Sequence, residues 1–198
     1  MCKIISISGS HGVGKTSLLN LIVKNPDFQE GRIKFFSEFN SGLFNMGFPL
    51  NGKAYDFDEV MFSQSKAFSL GYETIKYYLD RRYDKRLILT DRSCLDTYIY
   101  TDYFLKKHSE HMDKYSSLLK EMQEKSKEVL NEINHIFLPP FKDFEILEDR
   151  MSLLDRDNIW NNFNTHFLNP KNDKVIVLSS NTTQERYEEI IDLINKLI

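Results

Sequence analysis

Short runs of apolar residues alternate along the chain with longer stretches in which apolar residues recur at helical spacing. Four of the runs have the length and the Ile, Leu or Val content of buried strands: Lys3–Ser8, Arg86–Thr90, His135–Leu138 and Lys174–Leu178. Ile33–Ser37 is a fifth and weaker candidate, because Lys34 interrupts it. Alternating strands and helices predict βαβ units with right-handed crossovers, and therefore a parallel sheet that is covered by helices on both faces.

The stretches between these runs predict amphipathic helices. The last helix is the best marked, because Thr182 and Glu185 have the spacing of a capping box and an apolar face follows them. A long helical pattern from Leu95 to Asn131 breaks near residues 107–110. The other helical patterns are Thr16–Lys24 and Phe57–Tyr83.

No repeat, low-complexity tract or linker divides the 198 residues, so we predict a single α/β domain over residues 1–198. The segment Pro139–Asp157 differs from its surroundings, since it has two prolines, many charges and no clear period. We expect it to form a mobile loop or a small lid.

Composition and charge exclude several classes of protein. Hydrophobic residues make up 41% and charged residues 28% of the chain, which is typical of globular domains and excludes a disordered tail or a fibre. The net charge of −3 argues against binding nucleic acid mainly through net charge, although a local basic patch remains compatible with it. Cys2 and Cys94 are too few for a disulfide framework or a zinc cluster.

The first residues run directly into a strand, without the charged and then apolar segments of a signal peptide. The apolar runs are also far shorter than the roughly 20 residues of a membrane-spanning helix. We therefore expect a reduced, cytoplasmic protein that does not associate with membranes.

The residues after the first strand match the pattern G-x-x-x-x-G-K-[ST]: Gly9, Ser10, His11, Gly12, Val13, Gly14, Lys15 and Thr16. The glycines permit backbone conformations in which successive N–H groups point at phosphates. The start of the next helix adds a partial positive charge, Lys15 adds a full one, and the Thr16 hydroxyl can hold Mg²⁺. Residues Gly9–Ser17, which include Ser17 in the first helical turn, are therefore predicted to bind ATP with Mg²⁺.

The strand Arg86–Thr90 leads into Asp91-Arg92-Ser93, which helps to identify the type of nucleotide-binding protein. The chain has no guanine-reading N-K-x-D motif and no D-x-x-G motif, and it lacks the Asp-Glu pair that usually ends this strand in AAA-type hydrolases. Asp91 is suited to a position near Mg²⁺, and the Arg92 guanidinium is suited to an anionic oxygen. This pair favours a kinase.

The segment from Asp91 to Tyr100 resembles the D/E-R-S segment of deoxyribonucleoside kinases and the D-R-Y segment of thymidylate kinases. It is most similar to the D-R-S-x-x-D-x-x-x-Y form of NadR-like nicotinamide riboside kinase domains, and the phosphate loop resembles that group too. Thymidylate kinases carry Asp where this chain has His11. The resemblance implies a P-loop kinase domain with a five-stranded parallel sheet and a small lid, and a homodimer packed through long helices such as the one between Leu95 and Asn131.

The same resemblance implies an ATP-dependent phosphotransferase whose acceptor is a hydroxyl or phosphate of a nucleoside or nucleoside monophosphate. It assigns Glu38, after the second strand, as the group that accepts the proton of the acceptor hydroxyl, although the Pro that follows in those enzymes is absent here. It implies catalytic roles for Lys15, Glu38, Asp91, Arg92 and the lid arginines Arg150 and Arg156. Acceptor contacts are implied for Glu38, Gln64, Arg92, Asp96 and Tyr100, and Mg²⁺ ligation for Thr16 and Asp91.

Simpler interpretations of three of these residues remain open. Glu38 is also compatible with a solvated loop acid and Gln64 with an ordinary polar helix position. Tyr100 is compatible with core packing as well as with stacking on an acceptor base.

Two other functions also remain open. A kinase acting on a hydroxymethylated base or another hydroxyl in DNA would use the same machinery but would need a basic groove lined with aromatic residues. Arg81-Arg82 and Lys85-Arg86 are the only closely spaced pair of basic doublets in the sequence. The third possibility is a regulatory module that binds ATP without transferring its phosphate.

Overall fold

Five parallel strands form one sheet, in the order β2-β3-β1-β4-β5. A computed structural model describes residues 3–26, 33–36, 56–81, 87–140, 153–168 and 172–197, and the structural statements below concern these residues. The strands are β1 (Lys3–Ser8), β2 (Ile33–Phe36), β3 (Leu87–Asp91), β4 (Asn134–Phe137) and β5 (Val175–Val177). The predicted five-stranded parallel sheet is therefore confirmed.

Six helices lie in the described residues. They are α1 (Lys15–Val23), α2 (Phe57–Asp80), α3 (Cys94–Lys107), α4 (Met112–Glu132), α5 (Leu153–His166) and α6 (Thr183–Leu197). Five of the six lie where the sequence predicted helices, and α5 is the one that it did not predict. A short 3₁₀ helix, Ser109–His111, separates α3 from α4 at the predicted break. None of the helices within the described ranges is both long and apolar enough to cross a membrane.

The capping box predicted before α6 is present. The Thr182 hydroxyl accepts a hydrogen bond from the N–H of Glu185 (3.2 Å), and the Glu185 carboxylate accepts one from the N–H of Thr182 (3.1 Å). The predicted loop or lid over 139–157 needs a correction at its end, because α5 already begins at Leu153. Residues 141–152 of that segment lie outside the described residues.

Side chains on successive strand positions point to opposite faces of the sheet, and each face has its own apolar core. On one face, Ile4, Ile88 and Phe137 pack with apolar residues of α2, α3, α4 and α5. On the other face, Ile5 and Ile7 pack with α1 and α6; their partners include Leu18, Ile22, Leu87, Leu89, Ile136, Leu138, Ile190 and Ile194. Both faces are therefore covered, as the sequence predicted.

Lys34 occupies a strand position because its charge has a specific partner. Its ammonium donates a hydrogen bond to the hydroxyl of Tyr78 on α2 (2.7 Å) and lies 5.1 and 5.0 Å from the ring centroids of Phe36 and Tyr78. The aliphatic stem of a lysine packs like an apolar side chain, and its charge is attracted to aromatic faces. Thus β2 forms although Lys34 interrupts its apolar run.

His135 on β4 makes the free energy of unfolding depend on pH. Its side chain is fully buried, its Nε2 lies 3.4 Å from the carbonyl oxygen of Val129, and burial lowers its pKa from 6.5 to about 4. The folded protein therefore holds His135 neutral, while the unfolded chain protonates it below about pH 6.5. This contribution to stability is present above pH 6.5 and is lost as the pH falls towards 4, by up to about 3 kcal/mol.

Urea unfolding of the wild type and of His135→Met, measured from about pH 7.5 to about pH 5, checks this prediction. The stability of the wild type should fall more steeply with decreasing pH than that of the variant. Most carboxyl groups stay ionised in the upper part of this pH range, so the difference between the two stability curves there is due to the protonation of His135. Two parallel curves would contradict the prediction.

Candidate active site

The turn between β1 and α1 has the backbone conformation of a phosphate-binding loop. Gly9, Gly12 and Gly14 have φ values of 150°, 73° and 82°, which glycine adopts readily and other residues rarely adopt. Gly14 is the N-cap of α1, and no described side chain caps this end of the helix. The first N–H groups of a helix have no partner within the helix, and this makes a helix N-terminus suited to an anion.

The ammonium of Lys15 lies against the loop. The side chain is only 6% exposed, and its Nζ donates hydrogen bonds to the carbonyl oxygens of Gly9 (2.9 Å) and Ser10 (2.6 Å). Ser10 Oγ is buried and has no hydrogen-bond partner among the described residues. Buried polar atoms normally have a partner, so this hydroxyl is suited to contacting a bound ligand. Thr16 and Ser17, in the first turn of α1, are exposed.

Asp91 lies at the end of β3, directly beside the start of the loop. β1 and β3 are neighbours in the sheet, and Asp91 pairs with Ile7 in their register. Alternation along β3 places Asp91 on the same face as Leu87 and Leu89, which is the face covered by α1. Mg²⁺ takes oxygen ligands from one or two protein groups together with phosphate oxygens. The carboxylate of Asp91 and the hydroxyl of Thr16 therefore fit this ion.

Arg92 is the only described residue other than glycine with a positive φ, at 67°. Its N–H donates to the carbonyl of Ile7 (2.9 Å), and its guanidinium lies 5.2 Å from the ring centroid of Tyr100. A strained backbone of this kind persists when its surroundings hold it in place, and it occurs often at functional sites. The Tyr100 ring lies 6.5 Å from that of His11, so loop residue, arginine and tyrosine lie together.

Asp96 joins the phosphate loop to the start of α3. Its carboxylate is fully buried and accepts hydrogen bonds from the Ser8 hydroxyl (2.7 Å), the Gly9 N–H (3.3 Å) and the Ser93 N–H (3.1 Å). Its Oδ1 also lies 3.5 Å from Nη1 of Arg92. One side chain thereby holds together the last residue of β1, the first residue of the phosphate loop and the N-terminus of α3.

The acceptor contact predicted for Asp96 stays a prediction, and the structure shows its carboxylate beneath the phosphate loop. Burial raises the pKa of its carboxyl, and the opposing charges of Arg92 and Lys15 and the hydrogen bonds from Ser8 and Ser93 act in the other direction. Those two charges and the surrounding donors offset only part of the cost of burying the carboxylate, since its pKa stays above the ordinary value. These contacts suit the Asp96 carboxylate to holding the phosphate loop against the start of α3.

Two further predicted residues lie on helices and are buried. Gln64 on α2 is 6% exposed, and its Oε1 lies 3.5 Å from Oγ1 of Thr101 on α3. Arg156 on α5 is 5% exposed, and its Nε donates to Asp157 (3.3 Å). Arg156 Nη1 is buried without a hydrogen-bond partner among the described residues, so this donor is available to an anion. Glu38 and Arg150 lie outside the described residues.

Sequence reasoning missed Arg186, which reaches the phosphate loop from α6. The side chain is 1% exposed, and burial lowers the pKa of its guanidinium to about 10. It donates hydrogen bonds to the carbonyl oxygens of Ser180 (3.0 Å), Val13 (3.0 Å) and Pro139 (2.8 Å). The last two partners are 173 and 47 residues away along the chain, so no local pattern marks this arginine.

Several solved structures have a similar fold. A NadR protein in complex with NAD and AMP-PNP matches with a TM-score of 0.65 and 17% identity, over 98% of this chain and 49% of that one. Deoxyadenosine kinase from M. mycoides matches with a TM-score of 0.58 and 14% identity, over 98% and 100% of the two chains. Thymidylate kinase from Ehrlichia chaffeensis matches with a TM-score of 0.54 and 16% identity, over 98% of each chain.

The chain spans about half the length of the NadR structure. No curated protein matches the sequence. The model of a protein family described as "AAA domain" matches residues 4–186, which is most of the chain. The chain therefore belongs to this AAA domain family, and it has the fold of the P-loop nucleoside and nucleotide kinases.

Proposed function

We propose that the chain is an ATP-dependent phosphotransferase that moves the γ-phosphate of ATP to a hydroxyl or phosphate of a nucleoside or nucleoside monophosphate. The observation that carries the proposal is the group of side chains at the carboxyl ends of β1 and β3. The positive charges of Lys15 and Arg92 both stabilise the buried carboxylate of Asp96, which acts against the rise in its pKa that burial causes. Asp91 ends the adjacent strand β3. Two cations and a carboxylate placed in this way suit phosphoryl transfer, which depends mainly on positioning and charge stabilisation.

Each group has a defined part in the proposed reaction. The loop N–H groups and Lys15 bind the β- and γ-phosphates, while Thr16 and Asp91 hold Mg²⁺. Bound Mg²⁺ neutralises charge on the phosphate oxygens. Arg92 orients the acceptor oxygen, and Glu38 accepts its proton where the acceptor is a hydroxyl. A bond forms between that oxygen and the γ-phosphorus, and the bond from the γ-phosphorus to the β–γ bridging oxygen breaks to release ADP.

The bound molecules in the similar structures support a nucleoside or nucleotide acceptor. The NadR protein was solved with NAD and AMP-PNP, and the deoxyadenosine kinase with dCMP and dCDP. Arg92 lies over one face of the Tyr100 ring (5.2 Å to the centroid), so a planar base would stack on the opposite face.

A second candidate function is an ATP-binding regulatory module that performs no transfer. The AAA domain match favours it, because AAA domains include proteins that are not kinases. Phosphorylation of a hydroxyl in DNA is the third possibility. Within the described part of the chain, the guanidinium of Arg81 lies over the exposed ring of Tyr77 (4.2 Å to the centroid). It covers a ring face on which a DNA base would stack, so this pair does not favour DNA as the acceptor.

A transfer screen distinguishes these three functions. The protein is incubated with γ-labelled ATP, Mg²⁺ and either nucleosides, nucleoside monophosphates, or single- and double-stranded DNA that contains hydroxymethylated bases. A mock preparation from cells without the gene controls for contaminating kinases. Label in the small-molecule fraction supports the proposal, and label in DNA alone overturns it. Tight ATP binding without label in any acceptor favours the regulatory module.

We expect Glu38→Gln to lower the rate of transfer to a nucleoside hydroxyl by about 10²-fold or more, because the amide cannot accept the proton of the hydroxyl. ATP binding should stay within about threefold of the wild type, since Glu38 is assigned to the acceptor side. The measurements are single-turnover transfer and calorimetric ATP titration. Glu59→Gln, the same change at an exposed position on α2, is the matched control. Unchanged transfer in Glu38→Gln would remove Glu38 from the mechanism.

A further inference from the structure

The guanidinium of Arg186 connects three segments that follow the carboxyl ends of strands in the sheet. Its three nitrogens donate separately: Nη1 to Val13 in the phosphate loop, Nη2 to Pro139 after β4, and Nε to Ser180 after β5. The side chain is almost completely buried, so water does not compete for these bonds. Arg186 thus links α6 to the phosphate loop and to the start of the segment predicted to form the lid.

The hydrogen bond to Val13 determines the direction of one loop N–H group. The carbonyl of Val13 and the N–H of Gly14 belong to the same planar trans peptide unit, so they point in opposite directions. Arg186 holds the carbonyl from the buried side of the loop, where Val13 packs with Ile190 and Ile194 of α6. The N–H of Gly14 therefore points away from the core, on the side where phosphates bind in a loop of this sequence.

We infer that Arg186 is a positioning residue that holds the phosphate loop in its nucleotide-binding conformation, and this inference rests on the proposed function. Gly14 has a φ of 82°, and glycine peptides rotate easily, so the loop gains order from an external contact. Without Arg186, the peptide between Val13 and Gly14 becomes free to rotate. Part of the binding free energy of the nucleotide is then used to order the loop, so the affinity for the nucleotide falls.

An arginine is required at this position because its donors diverge in one plane. Lysine has a single nitrogen and cannot reach three carbonyl groups that lie in different directions. Arg186→Lys therefore keeps the positive charge but loses most of the connections. A loss of nucleotide affinity in Arg186→Lys therefore indicates that the hydrogen-bond geometry of the guanidinium is required, and not only its positive charge.

The test compares Arg186→Lys and Arg186→Gln with the wild type. Calorimetry measures binding of ADP and ATP with Mg²⁺, urea unfolding measures stability, and steady-state kinetics separates KM from kcat. We expect the Kd of both nucleotides to rise about 30-fold in either variant, a loss of about 2 kcal/mol of binding free energy. The KM for ATP should rise while kcat stays within about threefold, because the lost loop order affects the bound substrate and transition state alike.

Glu189→Gln is the matched control. The Glu189 carboxylate accepts a hydrogen bond from the Ser180 hydroxyl (2.5 Å), so this variant perturbs the same loop after β5 without touching the Val13 carbonyl. Its nucleotide affinity should stay within about threefold of the wild type. Equal losses in Glu189→Gln and Arg186→Lys would overturn the inference, as would wild-type affinity in a folded Arg186→Lys protein.

Amide hydrogen exchange in residues 9–17 provides a measurement that needs neither activity nor bound nucleotide. Exchange should be faster in Arg186→Lys than in the wild type, and exchange in the core strands should be unchanged. Unchanged exchange in the loop would overturn the inference, even if Arg186→Gln fails to fold. A wild type that binds ATP but transfers phosphate to no acceptor would contradict the proposed function and leave the role of Arg186 intact.

Discussion

Replacing Lys15 with alanine should lower kcat/KM for phosphate transfer by about 10³-fold or more. The ammonium is held at the loop by the carbonyl oxygens of Gly9 and Ser10, and in the proposed reaction it balances charge on the β- and γ-phosphates. Removing one preorganised charged donor from a site of this kind typically costs about 10²–10³-fold in rate, and weaker ATP binding adds to that loss. Single-turnover transfer from labelled ATP measures both losses: saturating ATP gives the loss in rate, and subsaturating ATP adds the loss in ATP binding.

Two further lysine variants make this result specific. Lys24→Ala introduces the same change at the exposed C-cap of α1 and should leave transfer within about twofold of the wild type. Lys15→Arg keeps the charge but introduces a larger, planar group, so it should recover only part of the lost rate. If Lys15→Ala transfers phosphate as fast as Lys24→Ala does, the assignment of the loop as a phosphate-binding site is wrong.

Local patterns in the sequence were sufficient to predict the framework of the site. The apolar runs identified all five strands, and the phosphate-loop motif lies between β1 and α1 as predicted. These features depend on neighbouring residues, since strand length, glycine spacing and helix starts are local properties. The end of the segment predicted as a lid was misjudged, because the charged residues before α5 obscured the start of that helix at Leu153.

The surroundings of individual side chains are harder to predict than the strands, because burial depends on the whole fold. Asp96 was assigned to the acceptor by resemblance, yet Ser93 and Asp96 also have the spacing of a capping box, and the structure shows that box at the start of α3. This pattern could have been read from the sequence. Arg186 could not, because its carbonyl partners come from three separate segments that only the folded sheet brings together.

Gly9→Ala should lower the free energy of unfolding by at least about 3 kcal/mol, through backbone strain and overpacking together. A methyl group at Gly9 would lie 2.6 Å from the carbonyl oxygen of Leu138, and the φ of 150° is itself unfavourable for alanine. Leu138 cannot easily move, because its N–H donates to the carbonyl of Ser8 (2.9 Å) and so fixes the end of β1 to the chain after β4. Urea unfolding measures the loss of stability, and ATP titration should show a Kd raised about 100-fold or more.

Gly12→Ala is the matched control for Gly9→Ala, because it changes a glycine of the same loop that also has a positive φ. A methyl group at Gly12 meets no described atom within 4 Å, and the φ of 73° alone should cost alanine about 1–2 kcal/mol. We expect a larger loss for Gly9→Ala than for Gly12→Ala, because Gly9 combines the overlap with Leu138 with a φ of 150°. Equal losses in the free energy of unfolding would mean that the positive φ explains the need for glycine at both positions. The contact with Leu138 would then not contribute to the need for glycine at position 9.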